Sequence, residues 1–274
     1  MKKIISLILV AVMLLATVAF VSCGKTDAPV DTNTDKADDA TTPAEKITLK
    51  VYTEAGFAPY EYVDEKGKVV GVDIDVMNYI AEKLGYNIII NDIDFNAILN
   101  EVEKDEYAVG AAGMSKTDAR DEVALASVVY AESVQYVIAP AGTFSKDSVS
   151  IEDVVEYAAA QGKAIGVQEG TTGADMVDAA IAESSVQTAE YPNAIVASGD
   201  IGTTLAAVVI DKLPAKSICA DKDALECWKI DTDAESYVLY FNKNATKLVE
   251  KVNEILTAMI ADGTIDQFTE NHSN

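Results

Sequence analysis

The stretch ITLKVYTEAGFAPYEYVDEKGKVVGVDIDVMNYIAEKLGYNIII, residues 47–90, carries the signals that decide the fold class. Apolar and polar residues alternate from Ile47 to Val51, which is typical of a strand with one buried face. The segment 59–72 favours a β-hairpin that turns at Asp64–Gly67, because charged residues and a glycine separate two runs with valine and tyrosine. A strand and a hairpin are therefore expected before the first helix.

The hairpin is followed by a helix. Asp73 is expected to cap its N-terminus, and Gly85 is expected to end it in a left-handed conformation. Residues 87–91, NIIIN, then predict a short buried strand. The apolar stripe of the helix recurs at helical spacing and consists of Val76, Met77, Ile80 and Leu84.

Strand and helix signals continue to alternate along the rest of the chain. Such alternation predicts an α/β sheet with mainly parallel strands. The body, residues 47–274, is long enough for one large domain or for two lobes. The further expected elements are a helix capped by Asp94, strands at 107–113, 164–167 and 206–211, a helix beginning at Thr117–Arg120, and a long helix at 246–262.

The N-terminus carries an export signal. Lys2 and Lys3 precede an apolar run, and the small residue before Cys23 favours lipoprotein processing with a lipid on that cysteine. Residues 1–22 are therefore expected to be removed as a signal peptide; an uncleaved membrane anchor is the alternative. Residues 23–46 lack aromatic side chains and predict a flexible tether. We expect the protein to lie outside the cytoplasm, anchored by lipid to the cell membrane.

The composition is strongly acidic. The 274 residues include 45 acidic and 21 basic ones, which gives a formal net charge of −24. Loss of Lys2 and Lys3 with the signal peptide leaves 19 basic against 45 acidic residues, or −26. Phosphate contacts need basic surface, so we expect no nucleic-acid partner.

Histidine and cysteine give no sign of a metal or catalytic centre. The only histidine, His272, lies in the polar C-terminal tail, and no Ser-His, Cys-His or His-Glu metal spacing is present. We therefore expect neither a metal nor a cofactor. Cys219 and Cys227 lie eight positions apart in an exported protein, where they form either a disulfide or two free thiols. The spacing alone does not decide between the two.

Arg120 is the only arginine, since the other 20 of the 21 basic residues are lysines. A guanidinium can fork two parallel N–H bonds onto a carboxylate, whereas an ammonium is a point charge. Taken alone, Arg120 fits a surface residue or a helix-end ion pair. Its segment GAAGMSKTDAR, residues 110–120, instead follows a predicted strand, at the sheet edge where α/β proteins bind ligands. Further groups that follow strand signals directly are Glu54, Phe57, Gly113, Ser115, Gly170, Thr171, Thr172 and Asp211.

Six segments follow one another in a recognisable order: TEAGFAPYEYVDEKGKVVGVDIDVMNYIAEKLG (53–85), DFNAIL (94–99), AAGMSKTDAR (111–120), GVQEGTTGADM (166–176), VVIDKLPA (208–215) and ADGTIDQF (261–268). Together they resemble the family 3 solute-binding proteins, the polar amino acid receptors of ABC importers. The resemblance covers about residues 47–270. It implies a two-lobed periplasmic-binding-protein-like fold (type II), with the ligand in the cleft between the lobes.

The resemblance also implies where the lobes divide. Lobe 1 would comprise residues 47–138 and 237–274, and lobe 2 residues 139–236. Two hinge strands, near Val137–Gly142 and Glu235–Val238, would join the lobes.

The same resemblance implies how the carboxylate of a bound amino acid is held. Arg120 would take the α-carboxylate, and Ser115 and Thr172 would add N–H or hydroxyl bonds. The turn formed by Gly170, Thr171 and Thr172 precedes a helix, and its N–H groups would make an anion seat.

The resemblance also implies which residues contact the α-ammonium and the side chain of the ligand. Asp211 would receive the α-ammonium, together with the Gly113 carbonyl and the Ser115 hydroxyl. A buried zwitterion needs both charges paired, because a lone buried charge is costly, so binding would hold the lobes closed. The walls of the cleft and its side-chain end would be formed by Phe57, Phe95 and Glu54.

These features predict an extracytoplasmic amino acid-binding receptor, not an enzyme, that serves the permease and ATPase subunits of an ABC importer. Glu54 disfavours acidic ligands, so arginine or lysine is the first choice, with glutamine or cystine behind. We expect a monomer. A tethered sensor that signals to another membrane protein would bind the same ligand and stays open as an alternative. A dehydratase-like enzyme on the same fold is the second alternative.

Overall fold

The computed structural model describes residues 46–273. The predicted signal peptide, the lipid site at Cys23 and all but the last residue of the predicted tether lie outside this range. The strands are β1 (Thr48–Thr53), β2 (Gly56–Phe57), β3 (Glu61–Val63), β4 (Val69–Val70), β5 (Asn87–Asp92), β6 (Ala108–Gly110), β7 (Leu125–Ala126), β8 (Ala131–Ser133), β9 (Gln135–Pro140), β10 (Ser148–Val149), β11 (Ala164–Gln168), β12 (Thr188–Tyr191), β13 (Leu205–Asp211), β14 (Leu225–Ile230), β15 (Glu235–Tyr237) and β16 (Tyr240–Phe241).

The helices fill most of the gaps between the strands. The long C-terminal helix forms where it was predicted, because its apolar stripe is buried: Val252, Leu256 and Met259 have no exposed surface. The helices are α1 (Val72–Leu84), α2 (Ile98–Val102), which follows a 3₁₀ turn (Phe95–Ala97), α3 (Asp118–Val123), α4 (Ile151–Gln161), α5 (Thr172–Ile181), α6 (Ala194–Ser198), α7 (Lys212–Ala220), α8 (Thr246–Ala261) and α9 (Thr264–His272).

The first large sheet has the strand order β5-β1-β6-β16-β7. Strand β1 pairs in parallel with β5 and β6, whereas β16 lies antiparallel between β6 and β7. Helix α1 packs against this sheet through Val76, Met77 and Ile80, which are completely buried. Burial of each such side chain stabilises the fold by roughly 1.5–3 kcal/mol. The helix ends at Gly85 with a left-handed φ of 70°, as predicted.

The second large sheet has the order β10-β14-β9-β13-β11-β12. Strand β11 pairs in parallel with β12 and β13, and β10 pairs in parallel with β14. Strand β9 runs antiparallel to both of its neighbours. Each large sheet therefore contains one strand, β16 or β9, that runs against all the others, and the prediction of mainly parallel strands is confirmed. The alternation of strands and helices indicates the element types, but it does not show that β9 and β16 run antiparallel to the other strands of their sheets.

Two short strands connect the large sheets. Strands β8 and β15 pair antiparallel, with Glu235 opposite Ser133 and Tyr237 opposite Ala131. Strand β8 leads from β7 of the first sheet to β9 of the second, and β15 leads back from β14 to β16. The two-lobed α/β fold is thus confirmed. The lobe boundaries at 138/139 and 236/237 stay a prediction, and β9 belongs to the second sheet from Gln135 onward.

The predicted capping role of Asp73 is wrong. Gly71 occupies the N-cap position of α1, and Asp73 lies within the first turn, completely buried. Its carboxylate accepts hydrogen bonds from the backbone N–H of Gly113 at 2.9 Å and from the hydroxyl of Tyr130 at 2.7 Å. Asp73 therefore supports the loop after β6 rather than the end of its own helix.

Strand β5 forms where it was predicted, but it is not buried. It lies at the edge of the first sheet, and Ile89 is 51% exposed. The apolar run NIII indicates strand propensity without showing whether both faces are covered. Asp94 precedes the 3₁₀ turn and makes no side-chain capping bond.

Candidate ligand-binding site

A narrow cavity lies at the carboxyl ends of strands from both large sheets. Its free volume is about 10 Å³, which is room for about one water molecule, so the cleft is closed on its own side chains. Nine of the ten residues predicted for the site line it; the tenth, Gly170, lies outside the lining. The lining residues are Glu54, Phe57, Glu61, Phe95, Ala112, Gly113, Ser115, Arg120, Gln168, Thr171, Thr172 and Asp211.

Arg120 connects the two lobes at one side of the cavity. Thr117 positions it by capping α3, since the Thr117 hydroxyl accepts from the backbone N–H of Arg120 at 3.2 Å. The guanidinium donates to the carbonyl of Ser115 at 2.8 Å and to the carbonyl of Gly170 at 3.1 Å. It also lies over the ring of Phe95, 5.3 Å from the ring centroid. Burial lowers the pKa of Arg120, yet a guanidinium stays charged at neutral pH.

Gly113 occupies a position that suits only glycine. Its φ is 52°, and a Cβ at this position would lie 2.6 Å from Cε1 of Phe57. The N–H of Gly113 is fixed by the buried carboxylate of Asp73. The loop after β6 can therefore approach Phe57, one of the predicted walls, only because residue 113 has no side chain.

Asp211 is a buried carboxyl at the end of β13. It stands at the N-cap position of α7 but makes no side-chain capping bond. Its oxygens accept from the hydroxyl of Tyr237 at 2.7 Å and from the side-chain amide of Gln135 at 3.3 Å. Burial first, and then the negative charge of Glu235, raise the pKa of Asp211 to about 6. A cation that entered the cavity would favour its ionised form.

Glu54 is bound by two amides from the second lobe. The side-chain amides of Gln168 and Asn193 donate to its two oxygens, each at 3.2 Å. Burial raises the pKa of Glu54, and these two hydrogen bonds oppose the rise. Glu54 therefore places an ionisable carboxyl in the cavity and also bridges the lobes.

Glu61 is a cavity residue that the sequence analysis missed. It is 1% exposed, and neither of its oxygens receives a hydrogen bond from a donor among residues 46–273. Burial, followed by the charges of Asp73 and Glu54, raises the pKa of Glu61 well above its usual value. Strands β2 and β3 pair Glu61 with Phe57, a register that the predicted hairpin at Asp64–Gly67 does not contain.

The hydroxyl groups of the predicted anion seat have protein partners. Those of Ser115 and Thr172 both donate to Oε2 of Glu235. The hydroxyl of Thr171 caps α5 by accepting from the N–H of Ala174 at 3.2 Å. Their contacts with a ligand stay a prediction. Gln135, Gln168 and Glu235 were not predicted, because their positions depend on contacts distant in sequence.

A family model for the bacterial extracellular solute-binding proteins, family 3, matches residues 49–274. The chain belongs to this family. The arginine-binding extracellular protein ArtP of Bacillus subtilis is 24% identical over 271 residues, which cover 97% of this chain and 96% of the relative. A probable histidine-binding protein of Campylobacter jejuni is 28% identical over 269 residues, with 97% of this chain and 96% of the relative covered.

The fold of this family 3 protein is shared with a solved amino acid-binding protein. An ancestral arginine-binding protein bound to arginine superimposes with a TM-score of 0.74 at 30% identity, over 82% of this chain and 97% of the other. Family members are extracellular or periplasmic binding proteins. Within residues 46–273, every helix is too short or too polar to cross a membrane.

Proposed function

We propose that this family 3 protein is an extracytoplasmic receptor for a cationic amino acid and delivers that ligand to an ABC importer. The charge of the cavity carries the proposal. One guanidinium, from Arg120, shares the lining with three carboxyl groups, from Glu54, Glu61 and Asp211. A cationic amino acid has one carboxylate and two cationic groups, so each of its charges would find a partner.

The α-carboxylate of the ligand would bind beside Arg120. The guanidinium has five N–H donors, and the carbonyls of Ser115 and Gly170 use two of them. The N-terminus of α5, at Thr172, adds N–H groups and the positive end of a helix dipole. Phe95, which already lies beneath the guanidinium, would form one wall.

The two cationic groups of the ligand would bind separate carboxyls. Asp211, with the Gly113 carbonyl, would receive the α-ammonium. Glu54 and Glu61, whose charges act on each other, would receive the side-chain cation, with Phe57 as the second wall. Arginine is favoured because a planar guanidinium can bind two carboxyls at once. Lysine comes next, and glutamine or cystine follow, because glutamine has no side-chain cation and cystine brings a second carboxylate together with its second ammonium.

Closure of the lobes would complete the site. Arg120 donates to the Gly170 carbonyl, and Glu54 accepts from the side-chain amide of Gln168. Both hydrogen bonds join a loop of the first large sheet to a loop of the second. Lobe 1, residues 47–138 with 237–274, would rotate against lobe 2, residues 139–236, about the crossing strands. A ligand that contacts both lobes would favour the closed state through these differential contacts.

We further propose that lipid on Cys23 anchors a monomer near the permease and ATPase subunits. The signal and Cys23 in the sequence support the anchor, and relatives whose names place them with ABC transporters support the importer. We assign no catalytic role to the cavity, since its groups suit charge pairing. A sensor that passes the binding signal to another membrane protein would use the same site, and deletion of adjacent importer genes separates the two roles.

A thermal-shift screen of the twenty amino acids with ornithine and cystine tests the proposal, because a ligand stabilises the folded state by RT ln(1 + [L]/Kd). Arginine or lysine is expected to give the largest rise in Tm. A rise in Tm with glutamate alone would refute the proposal of a cationic ligand, but it would agree with an amino acid receptor. Unchanged Tm with every compound would refute the receptor itself.

A further inference from the structure

Glu235 lies at the point where three chain segments meet. It is the first residue of the crossing strand β15. Its Oε2 accepts from the hydroxyl of Ser115 in the loop after β6, and from the hydroxyl of Thr172 at the start of α5 at 2.7 Å. Its Oε1 accepts from the side-chain amide of Gln135 at 3.0 Å. One carboxylate therefore joins the loop after β6 of the first large sheet to α5 and to β9 of the second.

These bonds fix the direction in which both hydroxyl groups donate. An ionised carboxylate is an acceptor only, and each hydroxyl has a single proton. When Ser115 and Thr172 donate to Glu235, each keeps lone pairs for other partners. Both residues also line the cavity. The two hydroxyls can then accept from a ligand ammonium, and they cannot donate to a ligand carboxylate.

The amide of Gln135 extends this arrangement to Asp211. Its nitrogen donates to Glu235 and also to Asp211 at 3.3 Å, and Gln135 is 1% exposed. Two carboxyls are thus held by one buried amide. The carboxylate predicted to bind the α-ammonium is positioned through the same residue that contacts Glu235.

We propose that Glu235 is a positioning residue that clasps the two lobes and sets the hydroxyls of Ser115 and Thr172 as acceptors for the ligand ammonium. The ammonium part of this inference rests on the proposed function. The clasp does not, because Ser115, Thr172 and Gln135 bind Glu235 through protein groups alone. The geometry keeps the ammonium contact expected of the Ser115 hydroxyl and removes both hydroxyls from the ligand carboxylate, which is left to Arg120 and to backbone N–H groups at the anion seat.

The test uses the full chain and three variants. Glu235→Ala removes all three bonds, and Glu235→Gln keeps the size of the side chain but loses the charge. Glu132→Gln is the matched control, because Glu132 lies exposed on β8, the strand paired with β15. Amide hydrogen exchange without added ligand is measured in peptides covering 113–118 and 170–175, with α8 as the reference. Affinity for L-arginine is measured by calorimetry.

Loss of the clasp is expected to speed exchange in both cleft segments and to leave α8 unchanged. Saturating arginine should restore slow exchange in Glu235→Ala, at an affinity at least about tenfold weaker, since bonds to a charged acceptor are lost. The exchange rates and the affinity of Glu235→Gln should lie between those of Glu235→Ala and the wild type. Those of Glu132→Gln should match the wild type.

Two results would overturn the proposal. One is unchanged exchange in the cleft segments of Glu235→Ala. The other is faster exchange throughout, α8 included, which would indicate a general role in stability. Failure of the wild type to bind any amino acid would instead refute the proposed function, and the exchange measurement would still decide the clasp.

Discussion

The guanidinium of Arg120 donates a hydrogen bond of 3.1 Å to the carbonyl of Gly170, so a side chain of the first lobe binds the turn before α5 in the second. The turn can come this close because residue 170 is a glycine. Its φ is 73°, and a Cβ there would lie 1.6 Å from Oδ1 of Asn96. Arg120 therefore belongs to the contact between the lobes as well as to the cavity.

Replacement of Arg120 by lysine keeps the charge and removes the fork. We expect Arg120→Lys to weaken arginine binding by about 1.5–3 kcal/mol, roughly 10- to 150-fold, because a charge-assisted bidentate contact is lost. Titration calorimetry measures the effect, and circular dichroism checks that the variant is folded. Equal affinity for arginine in the wild type and in Arg120→Lys would refute the assignment of Arg120 to the ligand carboxylate.

Glu61 is expected to favour the binding of cationic ligands and to lower the free energy of unfolding of the protein. Glu61→Gln should weaken arginine and lysine binding at least about tenfold and glutamine binding less, because a buried charge partner is removed. The free energy of unfolding at pH 7 should rise, since the pKa of Glu61 is well above its usual value and a neutral amide avoids the burial of charge.

Glu65→Gln serves as the matched control, because Glu65 lies exposed in the hairpin turn. Calorimetry and urea unfolding are measured on both variants. Equal losses for arginine and glutamine in Glu61→Gln would contradict the assignment of Glu61 to the side-chain cation.

Asp211 makes binding depend on pH. Burial and then Glu235 raise its pKa to about 6, so a ligand ammonium has an ionised partner only above this pH. Affinity for arginine should fall by up to about tenfold per pH unit below pH 6. Asp211→Asn should bind weakly with a flatter pH profile. A wild-type affinity that stays constant from pH 7 to pH 4.5 would refute this role.

The unfolding of the ligand-free protein should show the opposite pH trend in the same window. Asp73 and Asp211 both have a pKa raised to about 6 from 3.8, chiefly by burial. Between about pH 4 and pH 6 the folded state keeps protons that the unfolded state has lost. The free energy of unfolding should therefore fall as pH rises through this window, and Asp73→Asn should reduce the slope.

Cys227 should be the more reactive of the two free thiols. The two thiols act on each other, which lowers the pKa of Cys227 and raises that of Cys219. Because the thiolate is the nucleophile, iodoacetamide should modify Cys227 first. Mass spectrometry of partly alkylated protein gives the order. Cys219→Ala should slow the reaction of Cys227, and prior modification of Cys219 would contradict the pairing.

Cys23 lies outside the described residues, and its lipid is tested in cells. Detergent-phase partitioning of the native protein should be lost in Cys23→Ala, since one acyl modification site supplies the anchor. Cys219→Ala is the control and should partition like the wild type. Membrane-bound Cys23→Ala with its signal removed would refute the lipoprotein prediction.

Local patterns predicted the elements that build the cavity. The stripe of Val76, Met77 and Ile80 indicated α1, and the run before Asp211 indicated β13, because periodicity and burial are properties of short segments. Glu54 and Gly113 became candidates from their position directly after strands, whereas Arg120 became one as the only arginine and through the family resemblance. A site residue was therefore predictable where its position in the cavity is set by the strand that it follows.

Contacts distant in sequence were not predictable. Glu235 and Ser115 are 120 positions apart, and Gln168 and Glu54 are 114 apart. Glu61 was overlooked because a hairpin glutamate is normally exposed, and its burial depends on how the hairpin packs beside Asp73. Such residues have no local signature, since their role is defined by the partner that the fold brings to them.

Calorimetric titration of the wild-type full chain with L-arginine at pH 7, with L-glutamine and L-glutamate in parallel, tests the central claim most directly. The charges of the cavity predict saturable binding of one arginine per chain, weaker binding of glutamine and none of glutamate. Tight binding of glutamate with no heat from arginine or lysine would contradict a receptor for cationic amino acids.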